Sequence, residues 1–258
     1  MPRTYLVTGA ASGIGNATAD HLRAHGHTVI GADLKGGDIS ADLATPDGRA
    51  ELVAAARELT GGRLDAVIAC AGIARFDPLT VRVNHFGAVA TLEGLRPLLA
   101  AGQSPRALVI GSIDAVHPTD AATVEAALAG DEEAAVAAAQ AAVDRGEGHL
   151  AYSSSKAAIS RWVRRSAVAA EWAGAGIPLN AVAPGVIRTP LTQPLLDDPE
   201  MRAVVEEAVP MPLRGPAAPD ELTSLIAWLT SPENTLVTGQ IVYADGGADA
   251  VLRGETGW

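Results

Sequence analysis

Cysteine and lysine are scarce in this 258-residue chain, and each scarcity narrows what the protein is. The one cysteine, Cys70, allows no intrachain disulfide and no cysteine-based metal cluster, so a reducing compartment fits the chain and no metal site is expected. Lys35 and Lys156 are the only lysines among 19 basic residues, which are outnumbered by 30 acidic ones. The resulting net charge of −11 argues against nucleic acid as a partner.

Long apolar runs are also lacking. No run approaches the roughly 20 residues that span a bilayer, and the first residues, MPRTYLVTG, lead directly into strand-like sequence. We therefore expect a cytoplasmic protein that does not contact a membrane. Hydrophobic residues still make up 48% of the chain, which is ample for a sizeable core.

Short β-branched segments alternate with longer helical ones along the chain. Six strands are predicted, namely TYLVTG, HTVIGAD, LDAVIACAG, RALVIGS, IPLNAVAPG and QIVYADGG. They are almost continuously apolar, as expected of strands covered on both faces. Helices are predicted near residues 14–25, 46–60, 84–101, 153–174 and 219–230. The alternation predicts an α/β fold with a single Rossmann-type doubly wound parallel sheet, in one domain over residues 1–258.

Two segments interrupt this alternation. The connection between the second predicted strand and the helix near residue 46 is too short for a full crossover helix. The longer interruption, residues 113–151, has no strand signal and contains two Ala-rich helices broken at Ala129-Gly130-Asp131. This helical insertion is either a solvated excursion or a lid or flap that blocks oligomer contacts.

A glycine-rich turn, TGAASGIG, follows the first predicted strand and opens a helix. Gly9 permits the tight turn, while Gly13 and Gly15 let the backbone approach a pyrophosphate and let the helix pack on the sheet. The free N–H groups at the start of the helix would then face the diphosphate. An ordinary tight turn is the alternative, but the position favours a dinucleotide.

An acidic residue ends the second predicted strand. Asp33 lies 18 positions after Gly15, where a carboxylate can accept hydrogen bonds from the adenosine ribose and would repel a 2′-phosphate. No arginine lies beside it, although Lys35 is two residues away. The sequence therefore favours NAD over NADP.

Tyr152 lies four residues before Lys156, in a chain with three tyrosines and two lysines. Taken alone, the pair also fits two neighbours on a helix surface. Arginine and lysine differ, however, because arginine is a wide planar fork and lysine a compact point charge. A lysine at position 156, in a chain that uses arginine for nearly every other cation, therefore indicates a chemical role for the Tyr152–Lys156 pair.

Taken together, the motifs resemble the short-chain dehydrogenase/reductase family, whose order they follow over almost the whole chain. The motifs are TGAASGIG, CAG at 70–72, Asn84 in VNHFG, Ser112 in VIGS, Tyr152-x-x-x-Lys156, and NAVAPGVIRTP from Asn180. The resemblance implies an enzyme in which Tyr152 exchanges a proton with the substrate oxygen, and Lys156 lowers the phenol pKa and holds the nicotinamide ribose. Ser112 would donate to that oxygen, and Asn84 would hold a relay water behind Lys156.

The resemblance also implies a set of cofactor contacts. Pro184 and Gly185 would shape the nicotinamide pocket, and the backbone near Val186–Ile187 with the Thr189 hydroxyl would bind the carboxamide. The full predicted set is Gly9, Ser12, Gly13, Ile14, Gly15, Asp33, Asp42, Leu43, Cys70, Ala71, Gly72, Tyr152, Lys156, Pro184, Gly185, Val186, Ile187 and Thr189.

Two departures from the family pattern are visible. Cys70 replaces the usual asparagine, and we expect it to pack as a small apolar group rather than act as a nucleophile. Ser112 and Tyr152 lie 40 positions apart (152 − 112), where most members have a short loop. The insertion, the short second crossover and the ending ADGGADAVLRGETGW resemble the bacterial 3α-hydroxysteroid dehydrogenase/carbonyl reductase type.

The expected substrate is a secondary alcohol or ketone, of steroid or alicyclic type, beneath an apolar lid formed by residues 189–215. By the resemblance we also expect a homodimer through residues 219–244, with a tetramer as the alternative. Three other functions fit parts of the pattern: an NADPH-dependent ketoreductase, a non-catalytic dinucleotide-binding regulator, and a sugar-nucleotide epimerase or dehydratase. A ketoreductase that uses NADPH usually needs a basic residue where Asp33 stands. A non-catalytic regulator would lack members of the serine–tyrosine–lysine set, and an epimerase or dehydratase normally needs a longer C-terminal region.

Overall fold

A computed structural model describes residues 1–256, and the last two residues of the predicted ending lie outside it. Seven strands form one sheet: β1 (Thr4–Thr8), β2 (Thr28–Asp33), β3 (Ile39–Ser40), β4 (Ala66–Ala69), β5 (Arg106–Ile110), β6 (Leu179–Pro184) and β7 (Ile241–Ala244). All neighbouring strands are parallel, in the order β3-β2-β1-β4-β5-β6-β7. The order reverses between β1 and β4, which is the switch point where doubly wound sheets bind ligands. The predicted fold is confirmed.

Helices cover both faces of the sheet. They are α1 (Gly13–Ala24), α2 (Pro46–Thr60), α3 (Leu79–Val81), α4 (Ala88–Ala100), α5 (Ala121–Ala129), α6 (Glu132–Asp144), α7 (Leu150–Ser166), α8 (Gln193–Asp197), α9 (Pro199–Ala208), α10 (Asp220–Leu229) and α11 (Ala248–Arg253). The strands are apolar throughout because each face is covered: one core contains Leu6, Val67 and Leu92, and the other Val7, Ile68 and Ile226. Among residues 1–256, no helix is long and apolar enough to cross a bilayer.

Some boundaries differ from those predicted. The prediction of one helix over 153–174 was wrong, because α7 ends at Ser166. The two-residue strand β3, paired to the edge of β2, was not predicted. The first turn of the predicted helix near 84–101 belongs instead to a π-helix, Arg82–Gly87, which carries Asn84, and α4 begins at Ala88. Such π-helical turns are frequent at functional sites because they displace the residues they contain.

The insertion is packed against the body of the protein rather than projecting into solvent. Its two helices are broken where predicted, since α5 ends at Gly130 with a left-handed φ of 78° and Asp131 caps α6. Val124 and Ala135 join Val81 and Ala158 in one buried apolar cluster. The insertion therefore lies against α7, which carries Tyr152 and Lys156.

Polar contacts hold the same segment in place. The Glu132 carboxylate lies 2.6 Å from Arg49 Nη1 and 2.9 Å from Arg82 Nη1, with the Arg49 side chain only 10% exposed. The buried His85 ring, next to Asn84, forms a hydrogen bond with the Ala127 carbonyl at 3.0 Å, and burial lowers the pKa of His85 to about 4. A neutral imidazole is therefore part of the contact between insertion and body.

Candidate active site

A cleft opens at the carboxyl ends of the strands, beside the switch point. All the predicted cofactor residues line it except Val186, and so does Ser112. The topology gathers them because parallel strands place their carboxyl ends at the same edge of the sheet. Among residues 1–256 no cluster of His, Cys, Asp and Glu side chains could hold a metal ion.

The glycine-rich turn has the tight geometry that a dinucleotide site requires. A Cβ at Gly9, where φ is 69°, would lie 2.9 Å from the Ala71 backbone, and a Cβ at Gly15 would overlap the Gly9 carbonyl. The N-cap residue of α1, Ser12, makes no side-chain capping hydrogen bond, and the first turn carries no acidic residue. The N–H groups at this end of α1 therefore remain available to an anion.

Asp33 lies in the cleft at the end of β2. Its two carboxylate oxygens accept hydrogen bonds from the backbone N–H of Ala11, at 3.0 Å, and of Leu34, at 2.8 Å. These bonds fix the carboxylate beside the glycine-rich turn. Lys35 is exposed and is not one of the residues that line the cleft.

Beneath the cleft, β1 and β4 are joined by one threonine that the sequence interpretation did not single out. Thr8 Oγ1 accepts hydrogen bonds from the backbone N–H of Cys70 and of Ala71, each at 3.1 Å. Burial raises the pKa of the Cys70 thiol to about 12, although Lys156 opposes the shift. This thiol is therefore protonated at neutral pH, which agrees with a packing role.

Ser112 and Tyr152 flank the insertion in the sequence, but their side chains lie in the same cleft. Ser112 follows β5, and Tyr152 is in the first turn of α7. Burial of the phenol raises the pKa of Tyr152, the Asp114 carboxylate raises it further, and the neighbouring Ser112 hydroxyl opposes both. The insertion therefore begins and ends at neighbouring points of the structure. Ser112 and Tyr152 lie close together although they are 40 positions apart in the sequence.

Lys156 is buried one helical turn after Tyr152. Its Nζ donates a hydrogen bond to the Ile110 carbonyl at 2.9 Å and lies 5.7 Å from the centroid of the Tyr152 ring. Burial lowers the pKa of Lys156 to about 8, while Cys70 and Asp114 oppose the change. An ammonium has three donors, so the bond to Ile110 leaves two that can reach a ligand in the cleft.

Asn84 lies behind Lys156 rather than in the cleft lining. Its side-chain oxygen accepts from the Ile73 N–H at 2.8 Å, and its Nδ2 donates to the Ile73 carbonyl at 2.8 Å and to Ser155 Oγ at 3.1 Å. Both amide hydrogens are thus engaged within the protein. A relay water would need the second lone pair of the Asn84 oxygen or its backbone carbonyl.

The opposite wall of the cleft consists of residues 184–192. Pro184, Gly185, Ile187 and Thr189 line it as predicted. Val186 does not, since its side chain packs in a buried apolar cluster and its N–H donates to Met211 Sδ at 3.2 Å. The sequence interpretation also left out lining residues on this wall and beside β4 and β5, among them Thr8, Ile73, Ile110, Gly111, Leu191 and Thr192.

Two histidines near the ends of the insertion, His117 and His149, do not line the cleft. Asp114, which no motif singled out, is hydrogen-bonded to Ser112. The Ser-x-Asp spacing at a strand end is the only sequence signal for this contact, because a serine that caps a turn accepts the N–H of the residue two positions later.

Residues 3–127 match the family described as short chain dehydrogenase, and residues 137–249 match the one described as Enoyl-(Acyl carrier protein) reductase. The 3-alpha-hydroxysteroid dehydrogenase/carbonyl reductase of Comamonas testosteroni is 38% identical over 253 residues, covering 96% of this chain and 97% of that protein. The 2-(R)-hydroxypropyl-CoM dehydrogenase of Xanthobacter autotrophicus is 30% identical, with 97% and 100% covered.

Among solved structures, the chain is similar to the 3-alpha-hydroxysteroid dehydrogenase from Pseudomonas sp. B-0831 complexed with NADH. The TM-score is 0.90 and the identity 42%, over 98% of this chain and 99% of that one. The similarity therefore includes the insertion and both walls of the cleft.

Proposed function

Because this chain belongs to the short-chain dehydrogenase/reductase family, and is thus an oxidoreductase, we propose that it interconverts a secondary alcohol and a ketone with NAD(H). The observation that carries the proposal is that Tyr152, Ser112 and Lys156 line the same cleft, with Lys156 Nζ 5.7 Å from the centroid of the Tyr152 ring. These are the groups needed to exchange a proton with, and donate a hydrogen bond to, one carbinol oxygen. We further propose that residues 1–258 act as one dinucleotide-binding catalytic domain.

NAD rather than NADP is supported by Asp33. Its carboxylate is fixed by two backbone N–H groups, so it would accept the adenosine ribose hydroxyls and repel a 2′-phosphate. The similar Pseudomonas protein is described with NADH bound. The remaining residues fit the same group: the glycine-rich turn for the diphosphate, Asp42 and Leu43 for the adenine, and Thr189 with the Ile187 backbone for the carboxamide.

The bound nicotinamide would supply or accept the hydride. In alcohol oxidation, the Tyr152 phenolate takes the hydroxyl proton while Ser112 donates to the same oxygen. Lys156, held by Ile110, would favour the phenolate and would hold the nicotinamide ribose hydroxyls. Asn84 orders the turn behind Lys156, where a relay water would return the proton to solvent.

The substrate is proposed to be a hydroxysteroid or another hydrophobic alicyclic carbonyl compound. Residues 189–215 support this because they present exposed apolar side chains beside the cleft. Leu191 is exposed in the turn that lines the cleft, and Leu195, Met201 and Val204 are exposed on the two short helices that follow. The underside of the same segment is anchored, since Leu196 and Val209 pack against Ile113, next to Ser112. An apolar, partly anchored lid of this kind suits an apolar ligand.

A direct test is the absorbance of reduced nicotinamide, with NAD and NADP separately, on a 3α-hydroxysteroid. We expect turnover with NAD and at least about tenfold lower efficiency with NADP, the difference that one unfavourable charge contact makes. The 3β-epimer of the same steroid is the matched control for substrate orientation. Turnover of simple alicyclic alcohols but of no steroid would retain the reaction and reject the steroid; no turnover of any alcohol or ketone would reject the proposed function.

We also propose a cytoplasmic homodimer formed through residues 219–244. The Trp228 side chain on α10 is 41% exposed and Leu236 is 88% exposed, so this face offers apolar surface to a second copy. The insertion packs on α7 and would keep a further copy from associating through that helix. Light scattering should therefore give twice the chain mass of 26.2 kDa, whereas a tetramer would contradict the role given to the insertion.

A further inference from the structure

Asp114 lies in a short 3₁₀ turn, Ile113–Val116, that begins directly after Ser112. Its backbone N–H donates to Ser112 Oγ at 3.1 Å, and its carboxylate accepts the Ser112 hydroxyl at 2.8 Å. A negatively charged group therefore holds the proton of the serine that would have to donate to the substrate oxygen. Nothing in the proposed reaction requires a carboxylate at this position.

The contacts of Ser112 with Asp114 engage the one proton of the serine. A serine hydroxyl has one proton and two lone pairs. The proton is directed to the Asp114 carboxylate, and one lone pair accepts the Asp114 N–H. The bond to Asp114 therefore competes with donation from Ser112 to the Tyr152 phenolate, the interaction that would lower the pKa of Tyr152.

Three ionisable groups lie near Tyr152, namely Lys156, Cys70 and Asp114. Lys156, on the same helix, has its Nζ 5.7 Å from the centroid of the Tyr152 ring, and Cys70, at the end of β4, is protonated and interacts with Lys156 rather than with Tyr152. Asp114, from the turn after β5, is the carboxylate that acts on both Tyr152 and Lys156. It disfavours the phenolate, since a negative charge disfavours a second negative charge nearby.

We infer that Asp114 is a positioning residue that holds the Ser112 hydroxyl and, through it, keeps the proton of Tyr152 on the phenol. When Tyr152 gives its proton to a ketone, the phenolate keeps the electron pair of the broken O–H bond. Ser112 must then turn its own proton from Asp114 toward the phenolate or the new alcohol. The carboxylate therefore favours the proton-donating form of the site, and it sets the pH at which alcohol oxidation begins.

This inference deepens the proposed function and rests on Tyr152 as the group that exchanges the proton, so its test includes a measurement that needs no turnover. The chain has three tyrosines, and tyrosine labelled with ¹³C at Cζ gives one signal for each. Tyr152→Phe assigns the signal of Tyr152. The titration midpoint of that signal is measured in the NAD-bound protein for the wild type, Asp114→Asn and Asp114→Ala.

We expect a midpoint at least about 0.5 pH unit lower in both variants, because loss of the charge favours the phenolate. The pH at which kcat/KM for alcohol oxidation rises should be lower by the same amount. At a fixed pH below that rise, kcat/KM should therefore be about threefold higher than in the wild type. Asp120→Asn, which removes a capping carboxylate six residues further on, should move neither quantity.

An unchanged midpoint and an unchanged pH dependence of kcat/KM in both variants would overturn the inference, even if the melting temperature falls, because a role confined to capping the turn moves only stability. If the signal of Tyr152 does not titrate up to pH 11, the pH dependence of kcat/KM is the measurement that tests the inference. A shifted midpoint in a protein that turns over no alcohol would reject the proposed function and retain the inference.

Discussion

Replacement of Tyr152 by Phe is expected to lower kcat for alcohol oxidation by about 10³-fold, within the range that a single general acid or base contributes. The phenyl ring keeps the packing of the buried phenol but has no proton to exchange. NAD binding should weaken by no more than about tenfold, since at most one hydrogen bond to the ribose is lost. Steady-state kinetics and calorimetric titration with NAD measure the two effects.

The matched control is Tyr243→Phe, at a partly buried tyrosine on β7 that does not line the cleft. It removes the same hydroxyl from a phenol whose pKa is also raised by burial, and we expect kcat to stay within about twofold, as for a change outside such a site. Tyr152→Phe activity above about a tenth of the wild-type value would mean that another group exchanges the proton. A complete loss of NAD binding would instead indicate that the tyrosine acts mainly on the cofactor.

The second large effect is expected at Asp33. Asp33→Asn keeps the size of the side chain and one acceptor oxygen but removes the charge. The efficiency with NAD should fall by about 10-fold or more, because a hydrogen bond to a charged group contributes about 1.5–3 kcal/mol. The efficiency with NADP should rise, since the repulsion of the 2′-phosphate is removed. The ratio of kcat/KM for NAD over NADP should therefore shift by about two orders of magnitude.

Asp38→Asn provides the control for that change. Asp38 follows β2 in the same loop, and its carboxylate also accepts a backbone N–H, that of Gly31 at 2.8 Å, but it does not line the cleft. Loss of charge at Asp38 should leave the cofactor ratio unaltered. Equal ratios in wild type and Asp33→Asn would show that cofactor preference is determined elsewhere in the adenosine site.

The sequence predicted the sheet and most of the cleft because their residues carry local signals. Strand ends, glycines in a turn and an acidic residue at a fixed distance each have a chemistry that can be recognised without coordinates, as with Gly9, Gly15 and Asp33. The two-residue strand β3 gives no such signal, because two residues cannot show a period. Its pairing with β2 depends on the tertiary structure.

The end of α7 shows how packing overrides a local pattern. The Ala-rich sequence after Ser166 favours a longer helix, yet the rings of Trp162 and Trp172 meet edge to face with centroids 6.2 Å apart. In one continuous helix, residues ten positions apart lie about 15 Å apart along the axis. The chain must leave the helix for Trp172 to reach its buried position, and no local signal records that contact.

Asp114 could not be identified for a different reason. Its importance depends on the direction of hydrogen bonds around Ser112, and a sequence does not contain directions. The roles of Asn84 and Val186 were likewise inferred from motif order alone. The structure places both of them outside the cleft lining, so their contributions remain predictions.

The connection between Ser112 and Tyr152 also bears on how such a site can diverge. Each doubling of a loop costs only about 0.6 kcal/mol of closure free energy, and here the added helices bury apolar side chains of their own. The two reacting side chains are positioned by β5 and by α7, which do not depend on the length of the segment that joins them. This position in the chain can therefore accept, lose or exchange whole helices over evolutionary time without altering the chemistry beside it.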